Sequence, residues 1–518
     1  MAVKKRGQTA VVASRPAPVG GLNARDAISD MPEKDAIVLD NWFPTPTNIQ
    51  IRNGYVNWVT GITGWVESLC AYTAASSSKL FAAAGTAIYD VTSTGAVGAA
   101  VQSGLTNARW QHANFTTGGG SYLYMVNGAD KPRLYDGAAW VAVDGASTPA
   151  ITGVTTTNLI DVAVHKNRLW FIEKNTFKVW YLPLNSIGGA ATNIDFGPLF
   201  KLGGYLQKMV SWSIDSSGSG SQDYAAFISS EGEIALYQGY DPSSTSTWAL
   251  VGMFRVGRPQ GRRCTAKVGS DVAMIGADGI ISLSKALTTD RSQKQANISY
   301  KIVNSITSDI QDYPSNFGWQ IILYPIGNKL IINVPTTENS TQYQYVMNTI
   351  TSSWCTFGRY NSPWLAACFE SLGDSLYYGG NGVVCKCDYG ETDGGNAITA
   401  DCQPAYSYFG YHGNLKMFTM ARPIYMADGD ITPSIALNID FQLAQPAASR
   451  IYSGSNSLWD VSDWDTTSWV NAQAIKKNWL TVGGIGYAAS LRTKLAVNNM
   501  TASLQSIDYV FENGGILG

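Results

Sequence analysis

The feature that most constrains this chain is a repeated pattern of two apolar strands joined by a turn. Between residues 65 and 394, short apolar strands alternate with Gly- or Asn-centred turns. Equivalent positions lie 43 to 58 residues apart, at Leu80, Leu123, Leu169, Phe227, Val272, Leu330 and Leu376. Propeller blades repeat at about 40–50 residues, because a thin blade buries its faces only against neighbouring blades in a closed ring. The spacing therefore predicts a β-propeller of six or seven blades.

Composition supports an all-β fold. Charged residues make up 14% of the chain, against about 25% in an average protein, and 52 Gly and 27 Tyr accompany many Thr and Val residues. Such a mixture favours strands and turns and predicts very little helix. The repeats lack the Gly-His and Trp-Asp signature of WD40 blades, so a β-sandwich or several small barrels remain alternatives with a similar rhythm.

The pattern changes after Asp393, where apolar segments become longer. This change predicts a second β domain, either a sandwich or an open platform. The predicted organisation is an N-terminal docking arm over residues 1–35, a propeller over 36–394, and a C-terminal β platform over 395–518.

The first 25 residues carry positive charge only. They include Lys4, Lys5, Arg6 and Arg15 and no acidic side chain. Low hydrophobic density with charge of one sign predicts an arm that is mobile in the free protein and becomes ordered on docking to an acidic partner surface. A dispensable chain end is the alternative.

Overall charge argues against a dedicated nucleic-acid-binding protein, since the formal net charge is −2. One basic run without an intervening acid is a possible contact for DNA or for an acidic partner, with a solvated loop as the alternative. It contains Arg255, Arg258, Arg262, Arg263 and Lys267. Seven scattered cysteines predict reduced thiols made in a cytoplasm. No apolar window is long enough for a spanning helix, and the basic start lacks the apolar region of a signal peptide.

One motif imitates a dinucleotide-binding turn. Gly484-Ile-Gly486-Tyr-Ala-Ala489 follows an apolar segment, and Asp508 lies at a plausible distance for a ribose contact. Only ten residues follow Asp508, which leaves no room for the remaining strands and helices of such a domain. We therefore expect no nucleotide cofactor.

The sequence signals for a metal site and for a carboxylate site are also weak. Cys385 and Cys387, with Cys368, Cys402 and His412, lack the paired spacing of zinc knuckles, and buried free thiols are the simpler interpretation. Asp460, Asp463 and Asp465 in a Trp-rich stretch, and Asp428 beside Asp430, could serve glycoside hydrolysis or calcium, but Asp is common in turns. None of the three histidines lies near a nucleophile motif. The sequence predicts no enzyme, metal or cofactor.

Three stretches resemble a family of short-tailed bacteriophage virion proteins, the tail nozzle or packaged-DNA stabilisation proteins. The first runs from Gly20-Gly21-Leu through Asp40-Asn41-Trp-Phe-Pro44 to Arg52-Asn-Gly54-Tyr55. The second is Val126-Asn-Gly-Ala-Asp-Lys-Pro-Arg-Leu-Tyr-Asp-Gly137 to Trp140, and the third extends from Val482 to Glu512. Together they span the chain.

The resemblance implies a hexameric tube below the portal and adaptor rings, with the propeller outside and the β platform near the channel. Its implied partners are other copies of the chain, the adaptor or head-to-tail connector ring, and tail fibres or a tail needle. Packaged double-stranded DNA would be retained and then pass without sequence specificity. The protein would be made in the host cytoplasm and located in the virion tail.

Two other functional classes remain open at the level of sequence. A propeller that binds or degrades glycans could belong to a tail fibre, and a carboxylate pair in a cleft would distinguish it. A cellular interaction scaffold is the third class, although the basic arm and the C-terminal domain count against it.

Overall fold

The computed structural model describes residues 10–216, 220–286, 297–454 and 473–514. Strands hold 53% of the chain and helices 5%. The all-β prediction is confirmed, and so is the prediction of a β-propeller with a C-terminal β domain. Asp460, Asp463, Asp465, Lys4, Lys5 and Arg6 lie outside the described residues.

The N-terminal segment forms five short strands before the propeller begins. They are β1 (Val11–Pro16), β2 (Gly21–Leu22), β3 (Asp35–Asp40), β4 (Trp42–Pro44) and β5 (Ile49–Ile51). A 3-10 turn, Ile28–Asp30, lies between β2 and β3.

The propeller begins with one long strand, β6 (Tyr55–Thr73), that two blades share. Its second half starts blade 1, with β7 (Ser78–Ala84) and β8 (Ala87–Asp90). The short β9 (Gly95–Ala96) pairs in parallel with Val59 and Thr60 in the first half of β6. Blade 2 contains β10 (Gln111–Thr117), β11 (Gly120–Val126), β12 (Arg133–Tyr135) and β13 (Trp140–Ala142). After β14 (Ile151–Thr152) and a 3-10 turn (Thr156–Asn158), blade 3 contains β15 (Leu159–His165), β16 (Arg168–Glu173), β17 (Lys178–Tyr181) and, beyond β18 (Gly189–Ala190), β19 (Thr192–Asp195).

The remaining blades follow in chain order. Blade 4 contains β20 (Leu206–Ser216), β21 (Gly220–Ser229), β22 (Glu233–Gly239) and β23 (Trp248–Arg255). Blade 5 contains β24 (Thr265–Val268), β25 (Asp271–Gly276) and β26 (Gly279–Ser282), followed by α1 (Leu283–Ala286), a 3-10 turn (Tyr300–Ile302) and α2 (Val303–Asp312). Blade 6 contains β27 (Gln320–Tyr324), β28 (Lys329–Thr337), β29 (Thr341–Asn348) and β30 (Trp354–Phe357). Blade 7 contains β31 (Cys368–Leu372), β32 (Ser375–Gly379) and β33 (Asn381–Cys387).

The first half of β6 closes the ring. It pairs with β33 as the fourth strand of blade 7, while the second half pairs with β7 in blade 1. Within the described residues the ring therefore has seven blades. Each pair of neighbouring blades shares a hydrophobic core, as Leu80 of blade 1 does with Val384 of blade 7. Closure by one shared strand hydrogen-bonds the two ends of the ring directly, and it leaves no gap between first and last blades.

A two-layer β-sandwich lies beside the ring, and we call it the platform. Its later strands are β34 (Ile398–Pro404), β35 (Lys416–Ala427), β36 (Ser434–Ile439), β37 (Ile451–Ser453), β38 (Ala474–Lys476), β39 (Leu480–Gly486), β40 (Ala489–Asn498) and β41 (Ala502–Asn513). One layer joins β38, β39, β35, β41, β1, β5 and β4, and the other joins β3, β34, β40, β36, β2 and β37. Trp42 stacks on Tyr425 in the core between them, with ring centroids 6.1 Å apart.

The platform takes strands from both ends of the chain, which moves its boundary from the predicted one. β3 pairs with β34, and β5 pairs with β41, so residues 35–51 belong to the platform and the propeller starts at Tyr55 instead of residue 36. Apolar side chains such as Leu39 and Ile49 are fully buried only between the two layers. β3 also touches β30 of blade 6 through a parallel bridge, which makes the two domains continuous.

Candidate functional sites at the axial mouth and the platform junction

The propeller axis opens at one face into a cavity of about 360 Å³, which we call the axial mouth. Its wall comes from segments that precede the innermost strands β10, β24 and β27, and from the ends of β11 and β16. These segments converge because innermost strands of successive blades run in the same direction around the axis. Blades 2, 3, 5 and 6 therefore contribute to one site.

Four cations line the axial mouth: Arg109, Lys174, Arg262 and Arg263. Two of them are firmly held. Arg109 pairs with Glu67 at 3.1 Å and with Glu338, and its guanidinium lies 4.3 Å from the Phe317 ring centroid. Arg263 donates through Nη2 to Ser68 Oγ at 2.6 Å and to two backbone carbonyls of blades 1 and 2.

Arg262 and Lys174 are held more loosely. Arg262 donates to the Asn127 carbonyl at 3.5 Å, and Lys174 Nζ donates to the Gly128 carbonyl at 3.3 Å. Neither side chain has a carboxylate ion pair among the described residues. Burial lowers the pKa of Arg262, with Asp161 acting in the opposite direction.

Below the mouth, side chains of different blades meet along the propeller axis, a region that we call the tunnel. His112 Nε2 of blade 2 lies 3.4 Å from Glu370 Oε2 of blade 7, and Lys208 of blade 4 pairs with Asp161 of blade 3 at 2.7 Å. Burial raises the pKa of Glu370 to about 7 and lowers that of His112 to about 4. Near neutral pH the histidine is therefore uncharged.

The predicted basic run does not form one surface. Arg262 and Arg263 line the axial mouth, whereas Lys267 lies further along the tunnel on β24. Arg258 is 72% exposed and pairs with Glu231 at 2.7 Å, and it shares a separate depression with Arg255. The run divides because it leaves the outer strand β23 of one blade and enters the innermost strand β24 of the next.

The structure corrects the prediction of a free arm for its described part. β1 pairs with β41 along its whole length, from Val11 with Phe511 to Pro16 with Ser506. Arg15 donates to Glu33 at 2.6 Å and lies 5.0 Å from the Phe409 ring centroid. The backbone hydrogen bonds of this pairing offset the entropy that the segment loses on becoming ordered, which its few apolar side chains do not offset.

The other sequence candidates have plain structural roles. All seven cysteines are buried and free, and burial raises the pKa of thiols such as Cys385. Among the described residues no three His, Cys, Asp or Glu side chains are grouped as metal ligands. Gly484 and Gly486 lie in β39, which pairs antiparallel with β35 and continues into β40, so no helix follows the glycines.

Turn acids explain the remaining described carboxylates. Asp428 accepts the Thr501 amide at 3.0 Å, and Asp430 pairs with Lys476. Both bonds tie a turn to the neighbouring chain, as Asp does in many turns.

None of the described helices is long and apolar enough to cross a membrane.

A second polar site, the platform junction, joins the two domains. Arg52 is buried and makes a bidentate pair with Asp393, at 2.8 and 2.6 Å, while its Nε donates to Asn41 Oδ1 at 2.7 Å. Asn41 donates in turn to the carbonyls of Asn361 and Thr399, both at 2.7 Å. Bidentate charge-assisted bonds fix orientation as well as distance.

Asp40 completes the junction. Its buried carboxylate accepts the Thr356 hydroxyl at 2.8 Å and the backbone amides of Arg359, Tyr360 and Asn361 at 3.0 to 3.1 Å. Burial raises the pKa of Asp40, and these hydrogen bonds act in the opposite direction. Residues 40, 41 and 52 thus hold the 358–364 loop of the propeller against the platform.

Sequence reasoning predicted neither site as a whole, although Arg262 and Arg263 of the axial mouth belong to the predicted basic run. The junction residues belong to the motif Asp40-Asn41-Trp-Phe-Pro44 and Arg52-Asn-Gly54, and their polarity within an apolar stretch is the sequence signal for them. Nothing in sequence spacing brings Arg109, Lys174 and Arg262 together, because they come from three different blades.

Comparisons with known proteins give no family. No protein-family model matches the chain, and no curated protein matches it. Solved structures that are similar include BBS1N in complex with ARL6DN, soaked with lead, at 10% identity and a TM-score of 0.39, covering 65% of this chain and 97% of that one. YCF48 bound to D1 peptide is similar at 10% identity and a TM-score of 0.34, covering 70% and 98%. The fold therefore rests on the strand pairing described above.

Proposed function

We propose that this chain is a structural protein of a short-tailed phage virion, forming a homohexameric tail nozzle that retains packaged DNA and conducts it during ejection. The observation that carries the proposal is where the motif segments lie. Two of the three segments that resemble nozzle proteins, residues 20–55 and 482–512, are far apart in sequence but form neighbouring strands of one platform. Motif residues Asp40, Asn41 and Arg52 also build the junction to the propeller.

The form of the propeller supports a conduit made by several copies instead of one made by a single ring. The cavity at its axis has a volume of about 360 Å³, which is too small to hold a DNA duplex, so we place the path of the DNA outside the ring. In the proposed assembly, DNA passes along the platforms of six copies. Residues 395–518, which supply most strands of the platform, hold seven basic and nine acidic side chains, and such a near-neutral wall binds phosphates weakly and lets the genome slide.

Open sheet edges support assembly through the platform. Among the described residues, β1 pairs only with β41, and β39 pairs only with β35, so each has one unpaired edge in the same layer. Val12 on β1 is 60% exposed and Ile485 on β39 is 60% exposed. Unpaired edges with exposed apolar side chains readily accept another strand, and two different edges favour the head-to-tail contacts that close a ring.

The proposed partners follow from this position in the virion. The adaptor or connector ring meets the nozzle on one side, and tail fibres or a tail needle meet it on the other. Packaged double-stranded DNA is bound without sequence specificity. We propose no catalytic step for this chain.

Native mass spectrometry and electron microscopy of the purified protein test the assembly. We expect rings of six, and antiserum raised against the chain should label the tails of short-tailed particles. The double variant Val12→Lys and Ile485→Lys should dissociate the ring, because charge on apolar edges opposes pairing.

The matched control is Leu184→Lys, which places the same charge at a 55% exposed leucine of the propeller. The control should assemble normally. A monomer or trimer from the unmodified chain, or labelling of fibres and not of tails, would reject the nozzle proposal.

A further inference from the structure

The axial mouth has the properties of an anion-binding pocket, independently of the proposed role in a virion. Its wall carries Arg109, Lys174, Arg262 and Arg263 and contains no carboxylate side chain among the residues that line it. The nearest acids are already engaged, since Glu67 and Glu338 pair with Arg109, and Asp161 pairs with Lys208. Positive charge at the wall is therefore incompletely compensated.

Arg262 and Lys174 are the side chains available for a ligand. They reach from blades 5 and 3 to the same turn of blade 2, where their bonds to the carbonyls of Asn127 and Gly128 measure 3.5 and 3.3 Å. Such long bonds are weak, so an anionic oxygen that accepts from both groups makes better hydrogen bonds than the carbonyls do. By contrast, Arg263 is fixed by three acceptors at 2.6 to 3.1 Å and shapes the wall.

Size and polarity indicate an organic anion. A volume of about 360 Å³ falls at the lower end of small-molecule pockets, roughly 300–1,000 Å³. Amide and hydroxyl side chains of Asn107, Gln111 and Ser315 share the wall with the cations, which suits a hydroxylated molecule. A bare oxyanion would leave most of this space to water.

We propose that the axial mouth binds a hydroxylated organic anion of about monosaccharide size, whose phosphate or carboxylate group is held by Arg262 and Lys174. The anionic group is the shared chemistry, and a phosphate ester or a sugar acid could supply it. Because four blades form the pocket, the ligand also links blades across the ring and should raise the thermal stability of the propeller.

Isothermal titration calorimetry on the full chain tests the site with three probes: glucose 6-phosphate, glucuronate and uncharged glucose. We expect at least one charged probe to bind and glucose not to bind, and we expect affinity to fall with added salt because the contact is ionic. Binding of glucose 6-phosphate alone assigns a phosphate ester, and binding of glucuronate alone assigns a sugar acid. Binding of glucose with equal affinity would overturn the proposal.

Variants locate the binding. Arg262→Gln and Lys174→Gln should each weaken binding by about tenfold or more, the loss expected for one charge-assisted hydrogen bond, while Arg262→Lys should weaken it less. The matched control Arg258→Gln removes an arginine charge outside the pocket and should leave affinity unchanged. Unfolding temperatures measured without ligand show whether each variant folds. If Arg262→Gln does not fold, Arg262→Lys still tests the site. Absence of binding by both charged probes at roughly 10 mM, or equal binding by Arg262→Gln and the intact chain, rejects the site.

Discussion

The contact between Glu370 and His112 in the tunnel predicts two opposing contributions to the pH dependence of stability. Burial raises the pKa of Glu370 from 4.5 to about 7 and lowers the pKa of His112 from 6.5 to about 4. The folded state therefore holds the Glu370 proton more tightly than the unfolded chain, and this contribution to stability is lost as pH rises from 4.5 through 7. His112 acts oppositely, since the unfolded chain takes its proton first and stability is lost as pH falls from 6.5 to 4.

Each effect is worth up to about 3.5 kcal/mol, because one pKa unit corresponds to about 1.4 kcal/mol. About a fifth of each side chain remains exposed, 18% for Glu370 and 21% for His112, so water reduces both effects below that limit. Since the two pH ranges overlap and the signs differ, they largely cancel in the intact chain.

Single substitutions should expose the two contributions. We expect the free energy of unfolding of Glu370→Gln, relative to the intact chain, to rise by about 2–3 kcal/mol between about pH 4.5 and about pH 8. His112→Gln should show the opposite trend, with its greatest relative stability near pH 4. Urea unfolding followed by tryptophan fluorescence gives these differences, and Asp374→Asn, at an exposed carboxylate, is the control for which we expect a flat difference. A flat difference for Glu370→Gln as well would refute the reasoning.

The remaining predictions concern the junction, the arm and the thiols. Arg52→Ala should lower the free energy of unfolding by about 3–5 kcal/mol, because it leaves the buried Asp393 carboxylate without its partner; chemical denaturation measures the loss, and a cost below about 1 kcal/mol would contradict it. A chain beginning at Leu22 lacks β1 and should unfold at a lower temperature than the intact chain, because the β1–β41 pairing is lost; scanning calorimetry measures the difference, and an equal unfolding temperature would contradict the prediction. All seven thiols should resist Ellman's reagent in the native protein and react after unfolding, since all are buried; rapid reaction of one thiol in the native state would contradict its burial.

Local sequence determined the blades. All seven positions used to measure the repeat fall in the second strand of a blade, from Leu80 in β7 to Leu376 in β32, and each is at most 1% exposed. The longest intervals, 58 residues, contain the β18 and β19 region in one case and α2 in the other. The alternation of apolar strands and turns is encoded by residues that are close in sequence, so the periodicity of the sequence predicts it.

Pairing between distant strands decided the number of blades and the place of the N-terminal segment in the fold. β33 gives blade 7 its third strand, and the fourth comes from β6, more than 300 residues earlier in the chain, so sequence alone left six or seven blades open. For the same reason β1 read as a free arm, because its partner β41 lies at the other end of the chain.

Both candidate sites also depended on long-range contacts. The cations of the axial mouth come from three blades and converge only when the ring closes, and Arg52 meets Asp393 across 341 residues. Composition and spacing report what a residue does with its near neighbours. Burial of apolar faces between distant strands determines which charges meet, and that is decided by the folded ring and platform.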